Sequence, residues 1–296
     1  MIIGLLAGVL AQEGAPSKFV TAIEQSAALD VPLRIEMISK SLIGLPYILD
    51  AEGEGEGYDT DPLQNFEGMD CLTYVEAVLS FSMSRSWEEA LHIRNDIRYF
   101  ENEVHYENRK HFMFSQWIPN NVDLGYIQNI SSQIGETEYV SKTFDEQLWN
   151  NWRGKNKIPL PKEDFPIGEF GLDVLSIDEA LDNMDRIPSG SLLVVVRDSN
   201  IGNPVLISHI GFVIDVRTKK RVVKKMRHAT IMGSPKGVKQ HGLRWYLNHM
   251  KNYPYRWKVK GVSILHPKYP NALEIMIPPK QETPSQEGVF EEESQN

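Results

Sequence analysis

The stretch EGMDCLTYVEAVLSF, residues 67–81, holds Cys71, the single cysteine among 296 residues. Leu72, Val75, Val78, Leu79 and then Met83 recur at helical spacing, which predicts a helix over 71–84. Asp70 stands just before that run. Its short acidic side chain suits an N-cap, where it can accept from the unpaired backbone N–H groups of the first turn. Cys71 then lies in the first turn itself. Two roles fit it there. It can be a small buried apolar residue. It can also be a nucleophile, because the positive end of a helix dipole, and any imidazolium nearby, favours the thiolate and lowers the thiol pKa.

The bulk numbers narrow the field. A chain of 33.8 kDa with 41% hydrophobic residues can bury one large core or two small ones. A net charge of −9 argues against general affinity for nucleic acid. The one basic run, RTKKRVVKKMR at 217–227, alternates with Val222, Val223 and Met226 and reads as the solvated outer face of a hairpin. At the N-terminus, MIIGLLAGVLA (1–11) reads as a signal peptide without its basic n-region, the alternative being an ordinary buried segment. The expectation is export to the periplasm or the extracellular space. The run is too short to span a bilayer, and no later stretch reads as transmembrane. A lone thiol in an exported chain has no internal partner, which tilts the reading of Cys71 toward a task.

Outward from the cysteine the chain divides into two textures. Residues 17–44 read as helix, in two pieces meeting near Pro32. A Gly- and acid-rich loop follows, GLPYILDAEGEGEGYDTDPLQNFEG (44–68). A second amphipathic helix is expected over 86–101, capped by Ser86. Residues 102–185 are mixed, with a Pro-rich loop at 158–166. From Ile187 onward SLLVVVR, VLISHIGFVIDV, KRVVKKMRHATIM and RWKVKGVSILHP are β-branched runs bounded by turn residues, hence strands, with a helix at 242–253. The polar, acidic end 278–296 reads as disordered. The plan is α+β: a helical half carrying the cysteine, then an antiparallel sheet, as a single domain over 12–277.

A thiol nucleophile needs a base from elsewhere in the fold. Of eight histidines, His92 lies among charges on a helix, and His241, His249 and His266 carry no partner motif. His209 and His228 differ, because both fall within strands, and His209 has open space beside it at Gly211. A two-residue turn at Thr218-Lys219 would set His209 directly opposite His228, and a slip of two residues would leave them diagonal neighbours. Either arrangement allows a base and an orienting partner. The alternative is two unrelated histidines, each satisfied locally. No H-E-x-x-H and no close Cys/His cluster appears, so no metal is expected, and no cofactor motif is present.

Taken together, MDCLTYVEAV, then HIGFVI, then RHA resemble the NlpC-type papain-like cell-wall cysteine hydrolases. More narrowly, DCLTYVEAVL, IRYFENEVHYENRKHFMFSQWIPNN and RHAT with a following helix resemble the N-acetylmuramoyl-L-alanine amidase-like family, over roughly 40–265. The resemblance implies a papain-like fold, with Cys71 as nucleophile, His209 as general base and His228 as the orienting residue. It implies that Tyr47 binds the oxyanion with the Cys71 N–H, although the acidic insert lengthens the usual spacing and a core tyrosine is the alternative. Asp70 is first a cap and second a contact for a stem-peptide amine. Arg109, His111, Trp117 and Asn121 would form a sugar- or peptide-binding wall, or else an aromatic packing segment. The basic run at 217–227 would attract stem carboxylates. The implied reaction is hydrolysis of the N-acetylmuramoyl–L-alanine amide of peptidoglycan through a thioester, by a monomer. Cleavage of the γ-D-glutamyl–diamino-acid bond, acyl transfer on another substrate such as a lipid, and a non-catalytic wall-binding module are the alternatives.

Overall fold

The computed structural model describes residues 17–154, 158–200, 202–254 and 256–268. The expected signal segment 1–11, the outer limits of the 12–277 domain and the tail 278–296 lie outside the described residues. The helices are α1 (Ser17–Ser26), α2 (Val31–Ser41), α3 (Cys71–Met83), α4 (Trp87–Arg98), α5 (Ile118–Asp123), α6 (Ser131–Ile134), α7 (Glu146–Asn151), α8 (Ile177–Asp182) and α9 (Leu243–Lys251). The strands are β1 (Ile127–Asn129), β2 (Thr137–Phe144), β3 (Gly168–Leu175), β4 (Ser191–Arg197), β5 (Ile207–Arg217), β6 (Val222–Thr230), β7 (Gly237–Gly242) and β8 (Val259–Pro267). They form one antiparallel sheet in the order β2-β3-β8-β4-β5-β6-β7, with β1 added to β8. The α+β expectation holds.

The sheet is covered on both faces, and β4 shows how. Every residue of SLLVVVR is buried. Leu192, Val194 and Val196 enter the core shared with α1, α2, α3 and α4, whereas Leu193 and Val195 enter the core shared with α8 and α9. Successive side chains on a strand point to opposite faces, so a continuous apolar run is what a strand between two layers requires. Helix α3 is enclosed in the same way. Residues Thr73 to Ser82 are all buried, against α2, α4, β5 and β6. A helix with apolar residues on every side belongs inside the molecule, and its buried Glu76 then needs partners there.

Several expectations change. The β5–β6 hairpin pairs Arg217 with Val222 and Phe212 with Arg227, so its connection is the four residues Thr218–Arg221 rather than a two-residue turn. Thr218 closes it, its N–H donating to Arg221 O at 2.9 Å and its Oγ1 accepting from Arg221 N–H at 3.1 Å. This register makes His209 and His228 diagonal neighbours, and the space beside Gly211 is filled, since a Cβ there would lie 2.6 Å from His228 Cβ. Strand β7, GVKQHG, is a strand that the sequence does not announce, since it has no β-branched run. The basic run is not wholly solvated. Arg227 is 2% exposed and docks α2 on the sheet, donating to Glu36 O, Ser39 Oγ and Gln240 Oε1. No helix among the described residues is long and apolar enough to cross a membrane.

Candidate active site

The site begins at the mouth of α3. Asp70 has extended backbone, and its Oδ1 accepts from Leu72 N–H and Thr73 N–H, both at 2.9 Å. Thr73 Oγ1 accepts in return from Asp70 N–H at 3.0 Å, a reciprocal capping box. Cys71 is the first helical residue and is half-buried. Its thiol pKa is not lowered. Burial, and next the Asp70 carboxylate, push it up to about 12, against the backbone N–H groups of Ile210, Cys71 and Leu72, which favour the thiolate. The Asp70 carboxylate that caps the helix thus works against the backbone N–H groups that favour the thiolate. Cys71 therefore rests as a neutral thiol.

Tyr47 is held beside it by a strap. Gly44 N–H donates to Val238 O at 3.0 Å, Val238 N–H to Leu45 O at 2.8 Å, and Tyr47 N–H to Lys236 O at 3.3 Å. On the other side Met69 N–H donates to Pro46 O at 3.0 Å and Ile48 N–H to Met69 O at 3.3 Å. The strap thus joins β7 to the residues that lead into α3. Two glycines permit the approach: a Cβ on Gly237 would lie 2.4 Å from Leu45 O, and one on Gly68 2.9 Å from Pro46 O. The acidic insert loops out after Ile48, so its length does not carry Tyr47 away. Burial, then the neighbouring Cys71 and Asp70, hold the Tyr47 phenol far above its usual range, which keeps it a hydrogen-bond donor.

The histidines lie across β5, β6 and β7. His209 Nε2 is 2.6 Å from His228 Nδ1, and His228 Nε2 is 2.9 Å from His241 Nδ1. Tyr246 of α9 packs against the first two rings, with centroids 6.3 and 5.2 Å away. His209 is lowered to about 4 by burial and then by Arg197. His228, fully buried, is lowered by burial and by its neighbours His209, His241 and Lys239. His241, half-buried, is lowered by burial, Lys239, His249 and Lys225. All three are neutral near pH 7. His209 adjoins Ile210, whose N–H favours the Cys71 thiolate, yet among the described residues no hydrogen bond joins the thiol to the His209 ring. His241 is the residue that sequence reasoning passed over. Its signal depended on recognising β7, where it pairs with Met226 and so shares the face of His228.

The expected binding wall divides. A cleft of about 610 Å³ runs from Asp70 and Leu72 at the mouth of α3 to Arg109 and His111. Arg109 is already occupied: its guanidinium grips Glu54 at 2.7 and 2.8 Å and Asp59 at 2.7 Å, tying down the acidic insert. His111 Nε2 is 2.7 Å from Tyr106 O, and burial lowers its pKa to about 4, so the neutral ring donates there. Trp117 and Asn121 are interior, 0% and 1% exposed. Trp117 Nε1–H donates to Glu76 Oε1 at 2.9 Å, and Asn121 Nδ2 donates to Ile97 O and Trp117 O. Glu76 is the reason. This carboxylate on α3 is buried beside Arg98, which also binds the buried Glu52, and each oxygen needs a donor. The segment 109–121 thus serves packing and loop anchoring more than it lines a wall.

Fold and family agree on an amidase-like class. The model of the AmiA-like, N-acetylmuramoyl-L-alanine amidase-like family matches residues 37–253, and the chain belongs to that family. Among solved structures, it is similar to a Legionella pneumophila protein matched to the family model DUF1460. The TM-score is 0.73 at 23% identity, covering 86% of this chain and 95% of that one. It is also similar to an N-acetylmuramoyl-L-alanine amidase from Bacteroides uniformis, with TM-score 0.62 at 17% identity, covering 80% and 99%. A Bacteroides fragilis protein provisionally named a xylanase superposes with TM-score 0.57 at 16% identity, covering 77% and 98%. At these identities the likeness shows the fold alone. No curated protein matches the chain.

Proposed function

We propose that the protein is an exported, monomeric cysteine amidase of the NlpC-type papain-like class, cutting the N-acetylmuramoyl–L-alanine amide of peptidoglycan. The observation that carries this reading is the convergence of Cys71, at a capped helix mouth against the Ile210 N–H, with a paired histidine one residue from Ile210. The substrate rests on the family.

The chemistry follows from the protonation states. The thiol and the imidazole both start neutral. His209 gives its Nε2 to His228, so Nδ1 is the nitrogen free to act as base. As Cys71 Sγ attacks the amide carbonyl, His209 Nδ1 takes the thiol proton, and no standing thiolate is needed. The Cys71 N–H and the Tyr47 phenol donate to the oxyanion. His209 then returns the proton to the leaving amine as the carbon–nitrogen bond breaks. Water, deprotonated by the same nitrogen, hydrolyses the thioester. Asp70 Oδ1 is committed to the cap. Among the described residues its Oδ2 accepts only from Asp50 N–H, at 3.4 Å, and is available to an amine in the cleft.

Mass spectrometry of products from purified muropeptides tests this. Release of free stem peptide starting at L-Ala supports it. Cleavage after γ-D-Glu instead would make it the endopeptidase of the same chemistry. Intact muropeptides and sacculi would leave a binding module.

A further inference from the structure

The two contacts His209 Nε2···His228 Nδ1 at 2.6 Å and His228 Nε2···His241 Nδ1 at 2.9 Å form a continuous chain of imidazoles. A neutral imidazole carries one proton, so each ring in such a chain donates through one nitrogen and accepts through the other. Only two proton orders satisfy both contacts. In the inward order His241 donates to His228 and His228 to His209. His209 then carries its proton on Nδ1 and cannot act as base through that atom. In the outward order His209 donates to His228 and His228 to His241, and His209 Nδ1 is left bare. The outer ring chooses between them. His241 is half-buried on the edge strand β7, where its exposed neighbour Trp245 stacks on it with centroids 5.0 Å apart.

We propose that His241 is a positioning residue for the Cys71 site: as the terminal acceptor it holds His228 and His209 in the tautomers that leave His209 Nδ1 free. This deepens the amidase reading and rests on it for the catalytic consequence. A proton gained by His241 Nδ1 removes the acceptor, reverses the order and disables the base. The groups that face His241 are Lys239 on its own strand, Lys225 and His228 on β6, and His249 on α9. Burial, and then Lys239, His249 and Lys225, lower its affinity for that proton, and no carboxylate among the described residues is bonded to it. Asparagine can place an oxygen near the position of Nδ1 and cannot gain a proton, so His241→Asn separates acceptance from titration.

Three readouts test this on the full-length chain. Ring nitrogen-15 spectra report the tautomers directly. The rate at which iodoacetamide alkylates Cys71, measured against pH, reports the base without any peptidoglycan. Turnover of a muropeptide reports the reaction. In the wild type His209 and His228 should both carry the proton on Nε2. His241→Ala should mix these tautomers and lower kcat roughly tenfold with KM unchanged, as expected for a base left in the wrong tautomer part of the time. His241→Asn should restore the tautomers and most of kcat, and should move the acid limb of the alkylation profile to lower pH. Nδ1-protonated His228 in the wild type overturns the proposal. So does a His241→Ala protein with wild-type tautomers and alkylation profile, or a His241→Asn protein indistinguishable from His241→Ala. If the tautomers and alkylation behave as expected but no muropeptide is cut, the amidase reading fails and the positioning role stands.

Discussion

Two buried polar systems flank the mouth of α3, and they manage charge in opposite ways. Beneath the cleft, Glu52 and Glu76 are buried together against Arg98 in ion pairs, and burial raises the Glu52 pKa while Arg98 opposes it. Burial opposes the Arg98 charge, but Glu76 and then Glu52 outweigh it and hold its pKa well above the usual value. Across the sheet, His209, His228 and His241 bond to one another beside aromatic rings and cationic neighbours, and burial, the largest cause, lowers their pKa values and leaves them neutral. Burial acts on both systems, and the sign of the nearest partners decides whether it is opposed or reinforced. The ionic system fixes structure, because any lost member strands a charge. The neutral one keeps protons movable, which is what a base requires.

The largest expected effect tests the neutral system. His209→Ala, like Cys71→Ser, should slow amide hydrolysis on the order of 10²–10⁴-fold, and Cys71→Ser should leave the urea midpoint almost unchanged. His228→Ala should lose less. Wild-type turnover in His209→Ala would remove the histidines from the chemistry. Next comes the ionic system. Arg98→Ala should cost about 3–5 kcal/mol in urea unfolding, because Glu52 and Glu76 are left buried without their cation. A stable Arg98→Ala protein would mean that the insert is held some other way. Smaller is Gly237→Ala, which crowds Leu45 O and should cost about 1–3 kcal/mol. Its turnover should fall as well if the strap positions Tyr47. A last test is of pH. His209 and His111, both at about 4 in the folded chain, bind protons more readily when unfolded, with an ordinary pKa of about 6.5. Stability contributed by their neutrality is complete above that value and is lost as pH falls from about 6.5 toward 4. Urea midpoints at pH 7 and pH 5 read this; equal midpoints would show that the rings are not held neutral.

Much of the site was legible because it is local. The α3 helix, its Asp70 cap and the position of Cys71 depend on residues within one turn of each other. His209 and His228 were found because a polar residue inside an apolar strand needs a partner. Other features were hidden by distance. Arg109, His111, Trp117 and Asn121 carry residue types common to binding walls. Only the carboxylates of Glu54, Asp59 and Glu76, brought in from elsewhere in the chain, show that Arg109 and Trp117 are spoken for. The thiol pKa departs from the sequence expectation for a related reason: the dipole of α3 is a property of the helix, but burial and the Asp70 charge at its mouth belong to the assembled site.

The sequence by itself determined the α+β plan, the cysteine at a helix start and the two strand histidines, since hydrophobic period and capping act over a few residues. The tertiary structure alone decided three other matters. It set the hairpin register, through a four-residue connection closed by Thr218. It brought His241 to His228, through an edge strand with almost no pattern of its own. It set which charges survive burial, because Coulomb partners are chosen by distance in space and not along the chain.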